Sequence, residues 1–298
     1  MPARVPALAC AAADRDLLLP STAPTLADLA TSLEEVAPWF VRARAATRSG
    51  ANAEGGDPAS HGSPTLLARH LGHYLAAAEV AGPVDRLVDV GCGTGAFTGW
   101  LAERLGAEVT VVDHDPDVLA VAAEVAGASS TARDLADVEP APLVTAMEVL
   151  EHIEPADQPG FCAALVGAVA PTGVLVLSTP DESLYPGGWS GYAPHVGCVT
   201  AGELATLLLD AGAGSVDVHR LVGGPYDTPP SRRWLEAVGN RAWTRLQSVA
   251  PALTERLAAG GGEDEPVHVD PADVRTDLVQ VLPAEQGQGG SLVAVVRR

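Results

Sequence analysis

The chain contains no lysine; all 18 of its basic residues are arginine. Imine formation on a lysine amine and lysine-nucleophile chemistry are therefore excluded. Long apolar runs are missing too. None approaches the roughly 18 uninterrupted residues that span a bilayer, so no membrane partner is expected. The four cysteines, Cys10, Cys92, Cys162 and Cys198, share no close spacing of the C-x-x-C kind, which reads as reduced thiols in a cytoplasmic protein. A secretory leader is not expected, because Arg4, Asp14, Arg15 and Asp16 fall on the wrong side of a short apolar run. Positive charge is in deficit overall: 38 acids against 18 bases leave a net charge of −20. Nucleic-acid affinity comes largely from neutralising phosphates with cationic side chains. The bulk charge thus argues for a small-molecule partner and against nucleic acid.

What is present is enough apolar material for a core. With 298 residues, 47% of them hydrophobic, the chain accommodates one large α/β domain with additions. Its centre is the stretch Leu87-Val88-Asp89-Val90-Gly91-Cys92-Gly93-Thr94-Gly95. The apolar run reads as a buried strand, and the glycines let the backbone turn tightly and approach a ligand. Ala96 to Leu105 then has helical spacing, with Phe97, Leu101 and Leu105 on one face. Strand, glycine turn and helix together build a nucleotide pocket at the carboxyl end of an open sheet. Gly91-x-Gly93-x-x-Ala96 satisfies the dinucleotide fingerprint. Gly95 comes early for it, however, and Asp89 puts a carboxylate where a pyrophosphate gains nothing. A ligand ending in a cationic amino acid does gain from that acid.

Asp89 to Gly95 resembles the first motif of class I S-adenosylmethionine-dependent methyltransferases, of the small-molecule O-methyltransferase-like branch. The resemblance implies a doubly wound, seven-stranded, mostly parallel α/β sheet. It also implies N-terminal helices that often form a lid; a helical insertion before the last strand is read from residues beyond what the plain fold requires. Cofactor contacts are implied at Asp89, Gly91, Cys92, Gly93, Thr94 and Gly95. A second strand, Glu108 to Val112, ends at Asp113-His114. Asp113 lies about twenty residues past the glycines, where an acid accepts both ribose hydroxyls, and His114 follows it in the contact set. Arg133-Asp134-Leu135-Ala136 resembles the segment that meets the adenine, through Asp134 and the Leu135 backbone.

The fourth strand, Leu143 to Met147, leads into Glu148-Val149-Leu150-Glu151-His152, which matches the E-x-x-E-H pattern of ubiquinone-pathway O-methyltransferases and their relatives. An Asn/Asp-Pro-Pro-Tyr stretch is absent, which counts against amino-group methyltransferases that grip an amine with it. The fifth strand, Val174 to Ser178, opens the loop Glu182 to Val199 with Tyr185, Trp189, Tyr192 and His195. Loops of that length at a sheet's carboxyl edge usually carry function. His195 is the first candidate for the base that deprotonates the acceptor and His152 the second. Glu148 is placed to orient a histidine or contact the methionine moiety. Glu148, Glu151, His152 and His195 also match the metal-binding set of small-RNA terminal 2′-O-methyltransferases. The same pattern occurs without metal, with Glu151 on the surface and His152 alone facing the cleft; no metal is assigned. His61, His70 and His73 read as surface or packing histidines.

Flanking organisation follows from pattern. A lead over residues 1–62 contains a helix from Leu26 to Arg44 and a Gly/Ala/Ser-rich linker from Ser49 to Ser63. The core spans 63–222, with Ser63-Pro64 opening a helix. Thr200 with Glu203 forms a capping box before the helix Ala201 to Ala211. A helical insertion with an acidic Gly-rich link covers 223–275, and terminal strands cover 276–298. The expected activity is methyl transfer to a hydroxyl of a small secondary metabolite. Alternatives are a metal-dependent 2′-O-methyltransferase of RNA termini and a non-catalytic cofactor-binding subunit.

Overall fold

The computed structural model describes residues 35–36, 38–43, 45–46, 64–223, 226, 228–258 and 280–298. The expectations for Met1 to Leu19, for most of the helix from Leu26, for the linker ending at Ser63 and for Gly260 to Pro266 lie outside them. Helix α1 (Pro64–Ala81) precedes strand β1 (Arg86–Val90), α2 (Ala96–Leu105), β2 (Glu108–Val112), α3 (Pro116–Ala126) and β3 (Ser130–Ala132). Then come β4 (Ala141–Met147), α4 (Gln158–Gly167), β5 (Val169–Pro180), α5 (Ala201–Asp210) and β6 (Ser215–Val222). Helices α6 (Pro230–Val249) and α7 (Pro251–Ala258) and strands β7 (Gln280–Pro283) and β8 (Ser291–Arg297) complete the described part.

One sheet organises these elements, in the order β3-β2-β1-β4-β5-β8-β6-β7. Strands β1 to β5 pair in parallel, whereas β8 runs antiparallel between β5 and β6. Central strands read as apolar runs because both faces are covered. On one face α1, α2 and α3 bury Leu71, Trp100, Leu101 and Ala122 against Leu143 and Val176. On the other, α4 and α5 bury Leu165 and Leu204 against Val144, Leu175 and Leu177. The expected doubly wound α/β fold is therefore present, with a correction to its size. Among the described residues the sheet has eight strands, not seven, because β7 adds an antiparallel edge to β6 in the register Arg220 to Leu282.

Local chemistry places the boundaries. Asp115 caps α3, its carboxylate accepting from the amides of Asp117 and Val118 with Pro116 in the first turn. Thr200 and Glu203 form the capping box of α5 in both directions. Strand order reverses between β1 and β4, so the crevice at their carboxyl ends is the topological switch point where ligands of such sheets bind. No helix among the described residues is long and apolar enough to cross a membrane.

Candidate functional site

The glycine turn lies directly at the switch point. Gly91, Gly93 and Gly95 all take positive φ, at 67°, 52° and 76°. At Gly95 a Cβ would lie 2.6 Å from the Ala122 carbonyl oxygen, so the turn packs against α3 only without a side chain. At Gly91 a Cβ would meet Val149 Cγ2 at 2.5 Å, which ties the turn to the residue after Glu148. Cys92 and Thr94 are buried within this turn.

Asp89 is not a bare carboxylate facing the crevice. It is wholly buried and accepts hydroxyl hydrogen bonds from Tyr74 at 3.1 Å, Thr98 at 2.5 Å and Thr145 at 2.6 Å. It ties α1, α2 and β4 to the strand beneath the glycine turn. Burial raises its pKa to about 6 even though the three hydroxyls pull the other way. The same burial and the neighbouring Asp89 and Asp113 charges push the Cys92 thiol well up.

At the end of β2, Asp113 keeps 11% of its side chain exposed at the crevice. Its Oδ1 accepts the Asp115 amide at 3.0 Å, which orients the carboxylate. Burial raises its pKa, with the Asp115 amide opposing. His114 is 96% exposed, with its Nδ1 3.4 Å from Asp113 Oδ1. Asp134 is exposed and caps the single turn Leu135–Asp137 by accepting the Ala136 amide at 2.9 Å, while Leu135 is buried.

Across the switch point, Glu148 is the one non-glycine residue with positive φ among the described residues, at 56°. Such a conformation costs about 1–3 kcal/mol and persists where surrounding contacts enforce it. Here the Glu148 amide donates to the Ser178 carbonyl and hydroxyl at 3.0 and 3.1 Å. Its Oε1 accepts from Ser178 and Ser291 hydroxyls at 3.0 and 3.2 Å. His73, also fully buried, brings Nδ1 to 3.9 Å from the same oxygen. Both His73 ring nitrogens lack a hydrogen-bond partner, and burial lowers its pKa to about 3. His73 is thus a buried neighbour of the site, not a surface histidine.

The residues after Glu148 do not form the helix that would place Glu148, Glu151 and His152 on one face. Leu150–His152 is a single 3₁₀ turn, and α4 starts at Gln158. Glu151 is buried and accepts the Thr179 hydroxyl at 3.0 Å, while His152 is exposed. A surface role for Glu151 is excluded by that placement. Burial, then the nearby Glu148 charge, pushes its carboxyl well above the ordinary range.

The long loop closes on this turn. The Glu151 carbonyl accepts the amides of Val196 and Gly197, each at 2.9 Å. The Gln158 amide group donates to the carbonyls of Leu150 at 3.1 Å and Gly197 at 2.5 Å. These bonds bring His195 beside His152, with ring centroids 5.1 Å apart, and beside Tyr192 at 4.9 Å. His195 Nδ1 is 2.7 Å from Glu182 Oε1. A carboxylate accepts only, so Nδ1–H donates, and in the neutral ring Nε2 carries the lone pair. Burial raises the pKa of Glu182, but hydrogen bonds from His195 and Ser190 outweigh it and hold the group below its usual range. By the same logic His152 Nδ1 donates to the Pro194 carbonyl at 3.1 Å, leaving its Nε2 free to accept. Glu151, His152 and His195 offer ligand atoms within 4.8 Å of one another, and Glu182, His195 and Cys198 do likewise. Glu148 is not in either group.

Three parts of this site were not found by sequence reasoning. Glu182 had no motif to mark it, beyond opening the loop that holds His195. Tyr74, Thr98 and Thr145 come from three elements and meet only in the fold. His73 carried a signal, a histidine midway along an apolar-patterned helix, that also fits plain packing.

The methyltransferase-domain family matches residues 46–223, well over half of the chain. The chain belongs to that family, as the glycine turn led one to expect. It is similar to the ubiquinone biosynthesis O-methyltransferase of Xanthomonas campestris, 40% identical over 117 residues, covering 36% of this chain and 48% of that protein. A malonyl-[acyl-carrier protein] O-methyltransferase of Serratia marcescens is 34% identical over 125 residues, covering 40% of this chain and 48% of that one. The chain thus spans about half the length of the curated relatives it matches. Among solved structures, a Haemonchus contortus phosphoethanolamine N-methyltransferase in complex with S-adenosyl-L-methionine is 17% identical, covers 75% of this chain and 52% of that one, and gives a TM-score of 0.46.

Proposed function

We propose that the protein transfers a methyl group from S-adenosylmethionine to a hydroxyl of a small molecule. The residues present fit that cofactor: a side-chain-free turn at the switch point, an oriented acid at the end of β2 and a buried Leu135 beyond β3. When bound there, S-adenosylmethionine would supply a methyl activated on a sulfonium, which leaves as a neutral thioether. Asp113 would accept the ribose hydroxyls, and the segment Asp134 to Leu135 would border the adenine.

The observation that carries the hydroxyl acceptor is the His195–Glu182 pair at 2.7 Å. A hydroxyl must lose its proton as the new C–O bond forms. A neutral imidazole with its lone pair on Nε2 is suited to take that proton near neutral pH. Glu182 fixes the tautomer and stabilises the imidazolium that results, and the fold keeps Glu182 ionised for that task. Both curated relatives named above are O-methyltransferases, which supports the same reading. The assay is methyl transfer to a panel of phenolic and aliphatic alcohols against matched amines. Alcohols are expected to be methylated. Glu182→Gln is expected to lower kcat about tenfold or more, because the imidazole loses its anionic partner. Methylation of amines alone, or an unchanged kcat in Glu182→Gln, overturns the reading.

A second reading, metal-assisted transfer, is favoured by one observation. Both histidine tautomers are fixed by a carboxylate or a backbone carbonyl, and both leave Nε2 as an acceptor beside buried Glu151. Ligating histidines commonly donate their other ring N–H to a carboxylate or carbonyl in this way. On this reading Glu151, His152 and His195 would hold a divalent ion such as Mn²⁺, which would supply Lewis-acid activation of the acceptor. Loss of activity with EDTA and recovery with Mn²⁺ selects this reading; indifference to the chelator rejects it.

A further inference from the structure

Helix α6 carries an exposed apolar face that nothing in the methyl-transfer site requires. Its buried residue is Ala237, and it is held to the body chiefly by hydrogen bonds to the loop that bears His195. Tyr185 donates to Glu236 at 3.0 Å, Asn240 to the Ser190 carbonyl at 3.1 Å and Arg241 to the Pro186 carbonyl at 2.9 Å. Outward, Trp234 is 57% exposed and Val249 72%, and Leu235, Val238 and Trp243 are exposed beside them, with Leu253 continuing the face on α7.

At about 100° per residue, Leu235, Val238 and Val249 form one stripe. Arg245 lies along one margin with Trp234, and Arg232, ion-paired with Glu236 at 2.9 Å, along the other with Trp243, while Arg241 turns back to the Pro186 carbonyl. The helix holds four arginines and one acid, in a chain whose net charge is −20. It also holds two of the chain's five tryptophans. A helix with an apolar stripe, flanking arginines and tryptophans at the boundary has the composition of one that lies in the plane of a bilayer interface.

We infer that the outer face of α6 docks on an anionic lipid bilayer. Charge complementarity singles out that occupant. A two-fold pair of this chain would set the arginines of one α6 against those of the other and bring two strongly acidic bodies together. An anionic headgroup layer attracts the arginines and repels the remaining acidic surface, so only this face approaches it. Docking would set the His195 loop next to the lipid surface, which suits an acceptor dissolved in, or drawn from, the bilayer. That consequence rests on the methyl-transfer reading; the docking itself does not.

The test is co-flotation of the full chain with vesicles of phosphatidylcholine alone or with phosphatidylglycerol added, at low and high salt. Flotation with the anionic vesicles, reduced by salt, is expected. Arg245→Glu is expected to weaken partitioning about twentyfold, since each interfacial cation contributes about fivefold and the change removes one and adds an anion. Trp234→Ser is expected to weaken it by about tenfold. Both positions are exposed, and circular dichroism with a thermal melt checks that each variant is folded. Absence of flotation with anionic vesicles, or equal flotation of both variants and the parent, overturns the inference. A concentration-dependent dimer in sedimentation that Trp234→Ser abolishes also overturns it, because the face is then a contact between copies. Flotation with failed methyl transfer to alcohols would leave docking standing and remove only the proposed acceptor chemistry.

Discussion

On the β1–β2 side of the crevice each group sits within a few residues of a strand end: Gly91 to Gly95 after β1, Asp113 after β2. On the β4–β5 side the groups come from separate segments, Glu148 to His152 from one, Glu182 and His195 from the two ends of a loop, His73 from α1. The first side is held by backbone geometry, with glycines at positive φ and an amide orienting Asp113. The second is held by side chains acting on one another, as Glu182 does on His195 and Ser178 and Ser291 do on Glu148. On the proposed reading the comparison suggests a division of labour: a local cradle for the cofactor and, for the acceptor, a wall assembled from distant segments.

The largest expected effect falls on the assembled side. His195→Asn should lower kcat by about 10²–10⁴-fold, the range for loss of a positioned base. The melting temperature should stay close to the parent's, because the ring is half-buried and held at the loop. An intact kcat in a folded variant would break the comparison by moving the chemistry elsewhere.

Next is the anchor beneath the cradle. Asp89→Ala strands the hydroxyls of Tyr74, Thr98 and Thr145 in the core, and unsatisfied buried groups cost about 1–3 kcal/mol each. Part of that is offset by removing a buried charge whose pKa the fold has raised to about 6. A net loss of about 3 kcal/mol in urea unfolding at pH 7.5 is expected. A neutral result would mean that the hydroxyl cluster does not tie α1, α2 and β4 to the strand.

A smaller effect concerns pH. His73 has its pKa lowered to about 3, so the unfolded chain takes up a proton near pH 6.5 that the folded chain refuses. The stability associated with its neutral state is complete above pH 6.5 and is lost as pH falls toward 3. Relative to His73→Leu, the parent should lose about 2–3 kcal/mol more between pH 7.5 and 4.5. Asp89 works in the opposite sense, its raised pKa eroding stability as pH rises through about 6. Parallel urea titrations of parent and variant at the two pH values check this; equal losses would place His73 in contact with water.

The same contrast explains what the sequence disclosed. The turn at Gly91 to Gly95, the acid at Asp113 and the Thr200 box are patterns of near neighbours, and each stands where periodicity and spacing put it. Glu148-x-x-Glu151-His152 has a spacing that fits an α-helix and a 3₁₀ turn alike, and the hydrogen bonds to Ser178 decided for the turn. Glu182 and His195 are joined through a loop whose path is set by Trp189 donating to the His195 carbonyl at 3.0 Å and by α6 holding Ser190 and Pro186. Those partners are distant in sequence, so no local pattern announces them. Strand β7 lies within the terminal strands expected over 276–298, but the expected seven-stranded sheet left no place for it beside β6.

The most direct test is calorimetric titration of S-adenosylhomocysteine into the parent, Asp113→Ala and His195→Asn. A carboxylate taking ribose hydroxyls contributes about 1.5–3 kcal/mol, so Asp113→Ala should weaken binding by about ten- to a hundredfold, while His195→Asn binds as the parent does. Equal affinity in Asp113→Ala, with the loss appearing instead in His195→Asn, would contradict the division of the crevice into a cofactor side and an acceptor side.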